Sequence, residues 1–378
     1  MMERPIDISI ADLEKEYLDF PNQAIHEPPM ASRRLTKLWN WEFWPWHLVY
    51  IPVYFKSLVW ALKAGHPTYF ALSNPGFKYG GMFGEEKWNI YSRLPKNLYP
   101  KSFLWNNLKG ERDFRMWFTR NQMEFPLIAK PNRGERGNGV RILHNWDDVL
   151  AYRKQAAFEV IVQEFVDDPW EIGIFYYRMP EESKGRISSV VVKHFTVLKG
   201  DGERTVAKLI QDHPRLRFFE KELFKQHKNH WFDVPEKGQD YSLVRLGNHS
   251  KGVIFLDGKN MINDRLIERI DTLSQGIDGF YYGRYDIKCR SLEDLYAGRF
   301  CIIELNGAMS EPGHIYHPCA SLKDGLYSLL HHHKVIYKIA KQNRAAGFKY
   351  PNAWRGVKDF RSYLKYNRYL QEWQKKTG

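Results

Sequence analysis

The chain has 378 residues, 43% of them apolar, so it is long enough for two or three packed subdomains and too apolar to be disordered as a whole. Its formal net charge of +13 indicates an anionic partner: nucleic acid, an anionic membrane or a phosphorylated ligand. The three cysteines lack the spacing of a zinc or redox motif and argue against a disulfide framework. A polar, acidic start argues against a secretory signal. We therefore expect a cytoplasmic enzyme or binding protein.

The first predicted region, residues 1–98, contains a short helix near residues 11–18 and then an unusual aromatic stretch, residues 39–62. This stretch is nearly uncharged and has three interpretations: a helix lying in a membrane interface, an ordinary buried helix, or a membrane-spanning helix. Pro45 and Pro52 interrupt helical hydrogen bonding and oppose a span. The four tryptophans at positions 39, 41, 44 and 46 fit the headgroup level of a membrane better than its hydrocarbon core.

A strand-like run at residues 68–72 leads into a glycine-rich segment, residues 76–84. Glycine allows the backbone to approach a ligand closely and to take positive φ. Loose glycine spacing is also typical of a structural turn. Both interpretations remain open for this segment.

The segment FPLIAKPNRGERGNGVRIL, residues 125–143, is the first that indicates chemistry. A short apolar strand ends at Lys130, a glycine loop follows, and a second strand covers residues 140–143. The loop glycines are Gly134, Gly137 and Gly139. Such a hairpin exposes backbone N–H groups that suit phosphate oxygens, and the lysine adds a point charge. It is not a Walker loop, since the Gly-Lys-Ser/Thr ending and the following helix are absent.

Three further features follow along the chain. Glu164 and Glu171 lie at either end of a predicted strand–turn connection and can accept hydrogen bonds from an amine or from hydroxyls. Lys193 lies in a β-branched strand, where it needs an anionic partner or a route to solvent. In GDGERTVAKLI, Thr205 is placed to cap a helix.

The strongest pattern is an Arg-x-Asp followed by a Glu-x-Asn on two predicted strands. Asp286 lies on the first strand, with Arg284 on the same face, and Glu304 and Asn306 share one face of the second. Three oxygen-bearing side chains of this kind suit Mg²⁺. Arg284 can neutralise charge on a transferring phosphoryl group.

These segments, in this order, resemble the ATP-grasp superfamily, particularly D-alanine–D-alanine ligase and the ligase part of cyanophycin synthetase. The resemblance covers residues 101–318 and implies an α+β ATP-grasp fold, two α+β subdomains clamping ATP. We therefore divide the chain into an N-terminal region (1–98), an ATP-grasp domain (99–320) and a basic helical tail (321–378).

The resemblance also implies roles for individual residues. Asp286, Glu304 and Asn306 correspond to the metal ligands, and Arg284 and Lys193 to groups that act on the phosphoryl group. Lys101, in YPKSF, corresponds to an earlier phosphate-contacting lysine. The remaining nucleotide contacts that the resemblance implies are Lys130, Gly134, Gly137, Gly139, Glu164, Phe165, Val166, Glu171, Lys193, Asn248 and Lys251. The segment NGAMSEPGHIYHP departs from the D-alanine ligases, so Glu311, His314 and His317 are candidates to face a different substrate. The two histidines are explained equally well as loop residues with backbone partners.

The implied reaction joins a carboxylate to an amine or similar nucleophile through an acyl phosphate, with ATP and two Mg²⁺ ions (Mn²⁺ being an alternative). The alternatives are a phosphotransferase of the same superfamily, a membrane-surface ATP-binding protein, and a nucleic-acid binder, which is the least favoured. The basic, aromatic tail suits an anionic surface or a solvated helix. Three further hypotheses concern location, substrate and assembly. They are attachment to the inner membrane surface, a lipid-linked substrate and a homodimer.

Overall fold

The computed structural model describes residues 9–18, 41–135, 137–243 and 252–377, and the chain separates into two compact units. Unit 1 comprises the described parts of Met1–Tyr54, Ser189–Ile262 and Gly313–Leu330. Unit 2 comprises those of Phe55–Ser188, Asn263–Pro312 and His331–Gly378. Each unit is assembled from three pieces of chain. The division into three contiguous domains stays a prediction.

Twelve α-helices occur within the described residues. In chain order they are α1 (Ile10–Leu18), α2 (Trp46–Val49), α3 (Ile51–Ala64), α4 (Lys87–Tyr91), α5 (Glu111–Arg120), α6 (Trp146–Gln155), α7 (Val206–Asp212), α8 (Glu220–His227), α9 (Asp264–Gln275), α10 (Leu292–Ala297), α11 (Leu322–Ala345) and α12 (Ala353–Thr377). The helix predicted near residues 11–18 is confirmed. Side-chain caps begin several helices: the hydroxyl of Thr205 accepts a hydrogen bond from the backbone of Lys208, as predicted, and Ser291 caps α10 in the same way.

Eleven strands occur within the described residues. They are β1 (Ser102–Trp105), β2 (Leu127–Pro131), β3 (Arg141–Leu143), β4 (Val160–Glu164), β5 (Trp170–Tyr177), β6 (Arg186–His194), β7 (Val197–Lys199), β8 (Asp240–Ser242), β9 (Ile254–Asp257), β10 (Tyr282–Cys289) and β11 (Cys301–Asn306). The predicted α+β class is confirmed. The run at residues 68–72, expected to be a strand, is instead a 3₁₀ helix, Tyr69–Ser73. A short apolar run does not distinguish the two, because its length and composition suit either.

The first sheet of unit 2 carries the glycine hairpin. Its four antiparallel strands lie in the order β1-β4-β2-β3. Strand β4 reads Val-Ile-Val-Gln-Glu, and its β-branched side chains suit a buried central strand. Phe114 of α5, Tyr152 of α6 and Trp373 of α12 pack into the core beneath this sheet. The hairpin of β2 and β3 is therefore fixed to a well-packed base.

The second group of strands in unit 2 is antiparallel, in the order β11-β10-β5. Asn74, which is fully buried, ties the glycine-rich segment to the start of β10. Its amide donates to the carbonyls of Gly80 (2.9 Å) and Tyr282 (2.8 Å) and accepts from the backbone of Tyr281 and Tyr282. The backbone of Ala308, just after β11, donates to Gly80. The glycine-rich segment is thus a structural turn beside the end of β11.

Unit 1 contains two antiparallel strand pairs. Strand β6 pairs with β9, and β7 with β8. Its main core lies between these strands and helices α7 and α8, and is filled by Val206, Ile210 and Leu223 among others. A buried ion pair between Arg215 and Glu42, with an N–O distance of 2.9 Å, holds the aromatic segment against this unit.

The C-terminal region is helical, as predicted, but α12 is not a purely solvated helix. Leu370 is fully buried and Trp373 is 7% exposed. The indole N–H of Trp373 donates to the carbonyl of Gln155 at 2.8 Å. Helix α12 therefore belongs to the core of unit 2, while its basic residues stay on the outside. No helix in the described parts of the chain is long and apolar enough to cross a membrane.

Candidate functional site

The polar site of unit 2 is built on neighbouring strands β10 and β11. Asp286 lies directly opposite Glu304, and Arg284 opposite Asn306. Residues paired in this way on an antiparallel sheet project from the same face, so all four side chains meet there. The pairing shifts by one residue immediately after Asp286, at an irregularity of the kind that re-aims side chains beside active sites. The four predicted residues are thus brought together.

Arg284 and Asp286 form a two-pronged ion pair. The Nε and Nη2 atoms of Arg284 donate to the two carboxylate oxygens of Asp286 at 2.8 and 3.0 Å, and Nη1 donates to the carbonyl of Glu311 at 3.1 Å. Burial alone lowers the pKa of Arg284, but the adjacent carboxylate of Asp286 outweighs it and raises that pKa. A carboxylate has about four lone pairs, so Asp286 can still accept a further ligand while it holds this guanidinium.

Glu304 is paired with a residue that the sequence did not indicate. The ammonium of Lys87 lies 2.6 Å from Glu304 Oε1 and also donates to the carbonyl of Gly134 at 2.9 Å. Burial raises the pKa of Glu304, but Lys87 first and Lys130 after it more than offset this and lower it to about 2. Glu304 is therefore ionised at neutral pH and already carries a cation on one oxygen.

Lys130, at the end of β2, is buried beside this pair. Its ammonium donates to the hydroxyl of Tyr91 at 2.6 Å and to the carbonyl of Ile303 at 3.4 Å. Burial and the nearby charge of Lys87 lower the pKa of Lys130 to about 7. An ammonium has three N–H donors, and among the described residues these two oxygens are the acceptors it contacts. Lys130 is thus poised to gain a full charge when an anion approaches.

Helix α4 positions Lys87, which contacts Glu304, and Tyr91, which contacts Lys130. Its first residue, Lys87, donates its backbone N–H to the carbonyl of Asn132, and Trp88 donates to the Asn132 side chain at 2.9 Å. The start of α4 is therefore tied to the end of β2. The hydroxyl of Tyr91, one turn later, donates to the carbonyl of Ile303 at 2.6 Å. No spacing or motif marks Lys87 in the sequence, because long-range contacts set its position.

The glycine loop between β2 and β3 has the predicted backbone. Gly134, Gly137 and Gly139 all have positive φ, of 135°, 71° and 75°. A Cβ atom on Gly139 would lie 2.7 Å from Pro131 Cγ, so the tight turn requires glycine.

Helix α12 holds this loop. The side chain of Gln374 accepts the Gly139 N–H at 2.7 Å, and the Asn367 amide donates to Glu135 at 2.8 Å. The Gly139 N–H, which was expected to face a phosphate, therefore already donates to a side chain of the protein.

The polar side chains that face each other on β10 and β11 fit a divalent cation. Among the described residues no group of three or more His, Cys, Asp and Glu is placed to hold a metal. The candidate set is instead two carboxylates and an amide, Asp286, Glu304 and Asn306, all hard oxygen donors of the kind that Mg²⁺ prefers. The ammonium of Lys87 on Glu304 shows that this position already attracts positive charge.

The other predicted nucleotide contacts of unit 2 lie near the connection from β4 to β5. Glu164 ends β4. Glu171, in β5, is buried and lies opposite Lys288 of β10. The connecting segment contains Phe165 and Val166, and the Val166 carbonyl accepts a hydrogen bond from Lys288 at 3.0 Å. Lys101 is exposed, and its ammonium donates to the carbonyl of Asn121 at 3.1 Å. The nucleotide roles of these residues stay predictions.

The remaining predicted residues lie in unit 1 or outside the described residues. Lys193 is buried in β6, opposite Phe255. The Nδ1 of His314 lies 2.8 Å from the hydroxyl of Ser189, and the Nδ1 of His317 accepts a hydrogen bond from the backbone of Asp257. Asn248 and Lys251 fall outside the described residues.

Residues 84–173 match the tubulin-tyrosine ligase family, about a quarter of the chain. The matched stretch contains Lys87, Lys130 and the glycine loop. No curated protein matches the chain.

Three solved structures are similar to the chain over about two thirds of its length. The D-alanine–D-alanine ligase from Bacillus anthracis is 14% identical, with 69% of each chain covered and a TM-score of 0.39. The bifunctional glutathione synthetase from Pasteurella multocida is 18% identical over 68% of this chain, with a TM-score of 0.36. The VanG D-Ala:D-Ser ligase from Enterococcus faecalis is 13% identical over 69% of this chain, with a TM-score of 0.40.

The chain is similar to these three enzymes over the matched part. The matched part spans 36% of the glutathione synthetase and 62% of the VanG ligase. Because identities and TM-scores are low, activity and substrates are inferred from the contacts of this chain.

Proposed function

We propose that the protein is an ATP-dependent ligase that converts a carboxylate into an acyl phosphate and joins it to an amine or a similar nucleophile. The observation that carries the proposal is the facing pair Asp286 and Glu304 with fixed cations around it. Arg284 holds one carboxylate, Lys87 holds the other, and Lys130 is buried beside them. This alternation of charge suits the phosphates of ATP, whose negative charge must be balanced during transfer.

Asp286, Glu304 and Asn306 are proposed to hold Mg²⁺, as two ions in the full site, and the same oxygen donors accept Mn²⁺. When bound, the metal would neutralise phosphate charge during transfer. Glu304 must release Lys87 on one oxygen, or use its other lone pairs, to serve as a ligand. A displaced Lys87 ammonium is then available to a phosphate oxygen.

The proposed first step uses no covalent group of the protein. A carboxylate oxygen of the substrate attacks the γ-phosphorus of ATP, the bond from that phosphorus to the bridging oxygen breaks, and ADP leaves. The protein supplies charge and position: Asp286 and the Glu311 carbonyl hold the guanidinium of Arg284, and its two remaining N–H groups are proposed to donate to phosphoryl oxygens. The Tyr91 hydroxyl fixes the ammonium of Lys130.

In the second step, the nitrogen of the amine attacks the acyl carbon, phosphate leaves, and the nitrogen loses a proton. Phosphate is a better leaving group than the carboxylate oxygen that it replaces, which is why activation is needed. The acyl phosphate is readily hydrolysed, so water must be excluded while it exists. The glycine loop, held by α12, is proposed to cover it.

The substrates are proposed by class only, as a carboxylate and an amine. We include a lipid-linked substrate and attachment to a membrane surface in the proposal. The exposed apolar side chains of α3 support this part.

Trapping the acyl phosphate tests the reaction without knowledge of the amine. The full chain is incubated with Mg-ATP, pooled carboxylates and hydroxylamine, and hydroxamate, ADP and phosphate are measured. We expect all three products in the pool that contains the carboxylate substrate. Glu304→Gln should lower turnover at least 100-fold, while Glu293→Gln, an exposed acid on α10, should leave it unchanged.

Three other results would contradict the ligase. ADP formed without free phosphate or hydroxamate would indicate transfer to a hydroxyl, the phosphotransferase alternative. Equal turnover in Glu304→Gln and the native chain would show that turnover does not need the proposed metal site. ATP binding without turnover in every pool, including a membrane extract that supplies lipid-linked carboxylates, would indicate a binding protein.

A further inference from the structure

Helix α3 is apolar on two opposite sides, and only one of them is covered by the described part of the chain. On the inner side Val53 is fully buried. The hydroxyl of Ser57 lies 3.5 Å from Nδ1 of His333, and the ring of Trp60 stacks on Tyr337 at 6.3 Å. These contacts fix which side of the helix faces the protein.

The outer side carries four large apolar side chains. Ile51 is 58% exposed, Phe55 67%, Leu58 59% and Leu62 74%. Their spacing of four, three and four residues places them in one stripe along the helix. Contiguous exposed apolar patches rimmed by polar residues mark sites that bind a protein or a membrane. The stripe therefore requires a partner.

The groups that border the stripe favour lipid as that partner. Lys56 follows Phe55 and Lys63 follows Leu62, so each exposed lysine lies about 100° round the helix from the stripe. Lysines at such positions can keep their ammonium groups at headgroup level while the stripe is buried. Trp46 is 52% exposed before the helix begins, and Tyr54 is 49% exposed within it. Tryptophan and tyrosine favour the boundary between water and hydrocarbon.

We propose that the outer face of α3 lies in the surface of an anionic bilayer, with the helix parallel to the membrane plane. The helix has 14 residues, whereas a spanning helix needs roughly 20. An amphipathic helix that lies in the interface instead buries its apolar side about 5–10 Å deep and gains from anionic lipids. The net charge of +13 complements such a surface. This inference deepens the membrane attachment included in the proposed function and does not depend on the ligase reaction.

Vesicle flotation with the full chain tests the proposal. The two vesicle types are phosphatidylcholine mixed with phosphatidylglycerol, and phosphatidylcholine alone. We expect flotation with the anionic vesicles at low salt and much weaker flotation with the neutral ones. The double variant Phe55→Ser, Leu58→Ser should bind the anionic vesicles at least about tenfold more weakly, because each large apolar side chain contributes a favourable transfer free energy.

Matched variants test whether vesicle binding depends on the stripe and its bordering lysines rather than on any exposed apolar or charged side chain. Phe232→Ser removes an aromatic side chain that is 76% exposed elsewhere, and it should bind as the native chain does. Lys56→Glu with Lys63→Glu should weaken binding to anionic vesicles, whereas Lys96→Glu, at another exposed position, should have little effect. The substituted side chains are exposed, and unchanged thermal unfolding verifies that each variant is folded.

Three results would overturn the proposal. The native chain could remain in solution with both vesicle types. The Phe55→Ser, Leu58→Ser variant could float as well as the native chain, which would assign binding to another surface such as α12. The native chain could also form dimers, seen by light scattering, that this variant abolishes without any vesicle binding. The stripe would then be an interface with a second copy.

Discussion

Lys87 and Glu304 are 217 residues apart in the chain, yet their charged groups lie 2.6 Å from each other. The same ammonium donates to the carbonyl of Gly134 in the glycine loop. One side chain therefore joins the strand that carries the proposed metal ligands to the loop that is proposed to cover the phosphates. A cation bound by Glu304 would compete with Lys87 and so loosen its hold on the loop.

A double-mutant cycle measures this relationship. We expect Lys87→Met and Glu304→Gln each to lower the free energy of unfolding by about 1–3 kcal/mol, since each leaves a partly buried charge without its partner. The double variant should lose less than the sum, with a coupling energy of about 1–3 kcal/mol by urea unfolding. The control cycle uses Arg115 and Glu111, an exposed helical pair at 2.7 Å, whose coupling should be about 0.3–0.5 kcal/mol. Additive effects at Lys87 and Glu304 would contradict the prediction.

Two glycines with positive φ, one in the glycine-rich segment and one in the glycine loop, allow backbone strain to be separated from steric overlap. Gly84 and Gly139 have similar positive φ, 69° and 75°, but a Cβ on Gly84 meets nothing within 4 Å. Gly84→Ala should therefore lower the free energy of unfolding by about 1 kcal/mol, from strain alone. Gly139→Ala should cost about 2–4 kcal/mol, because its Cβ also overlaps Pro131. Equal melting temperatures of the two variants would show that Pro131 moves aside.

The residues of the proposed metal site could be predicted from the sequence because they lie close together in two short strand segments. Alternation along two apolar strands places Asp286, Glu304 and Asn306, and the structure pairs Asp286 with Glu304 directly. Lys87 could not be predicted, since contacts between α4 and Asn132 fix it and no pattern records them. The C-terminal tail was expected to be helical, but its basic, aromatic composition did not indicate the surface that buries Trp373. The glycine loop was recognisable, but its contact with Gln374 was not.

The stability of unit 1 should depend on pH through His213. Its Nδ1 accepts hydrogen bonds from the backbone of Arg215 and Leu216, both at 3.2 Å, so the ring is held neutral. Burial, and after it the charge of Arg215, lowers the pKa of His213 to about 4. As the pH falls from about 6.5 towards 4, the unfolded chain takes up a proton that the folded protein does not, and the free energy of unfolding falls.

His213→Asn keeps an acceptor at this position but removes the titration. Between about pH 7 and pH 4.5 the native chain should lose about 1–3 kcal/mol more stability than this variant. Denaturant unfolding at several pH values measures the difference. His230→Asn, an exposed histidine in the same unit, serves as the control and should follow the native chain. A pH profile of His213→Asn that matches the native profile would contradict the prediction.

Gln374 should oppose nucleotide binding while it stabilises the nucleotide-free protein. Its side-chain oxygen accepts the Gly139 N–H at 2.7 Å, a donor that the resemblance to the ATP-grasp superfamily assigns to a phosphate oxygen. The two acceptors cannot share that N–H at full strength, so phosphate must displace Gln374. Gln374→Ala should thus lower the free energy of unfolding without ATP by about 1 kcal/mol and yet tighten Mg-ATP binding a few-fold. Lys375→Ala, at the next and exposed position of α12, should change neither. The measurements are urea unfolding and calorimetric titration. If the variant lost stability and bound ATP more weakly, Gln374 would position the loop rather than compete for it, and the Gly139 N–H would not be a phosphate contact.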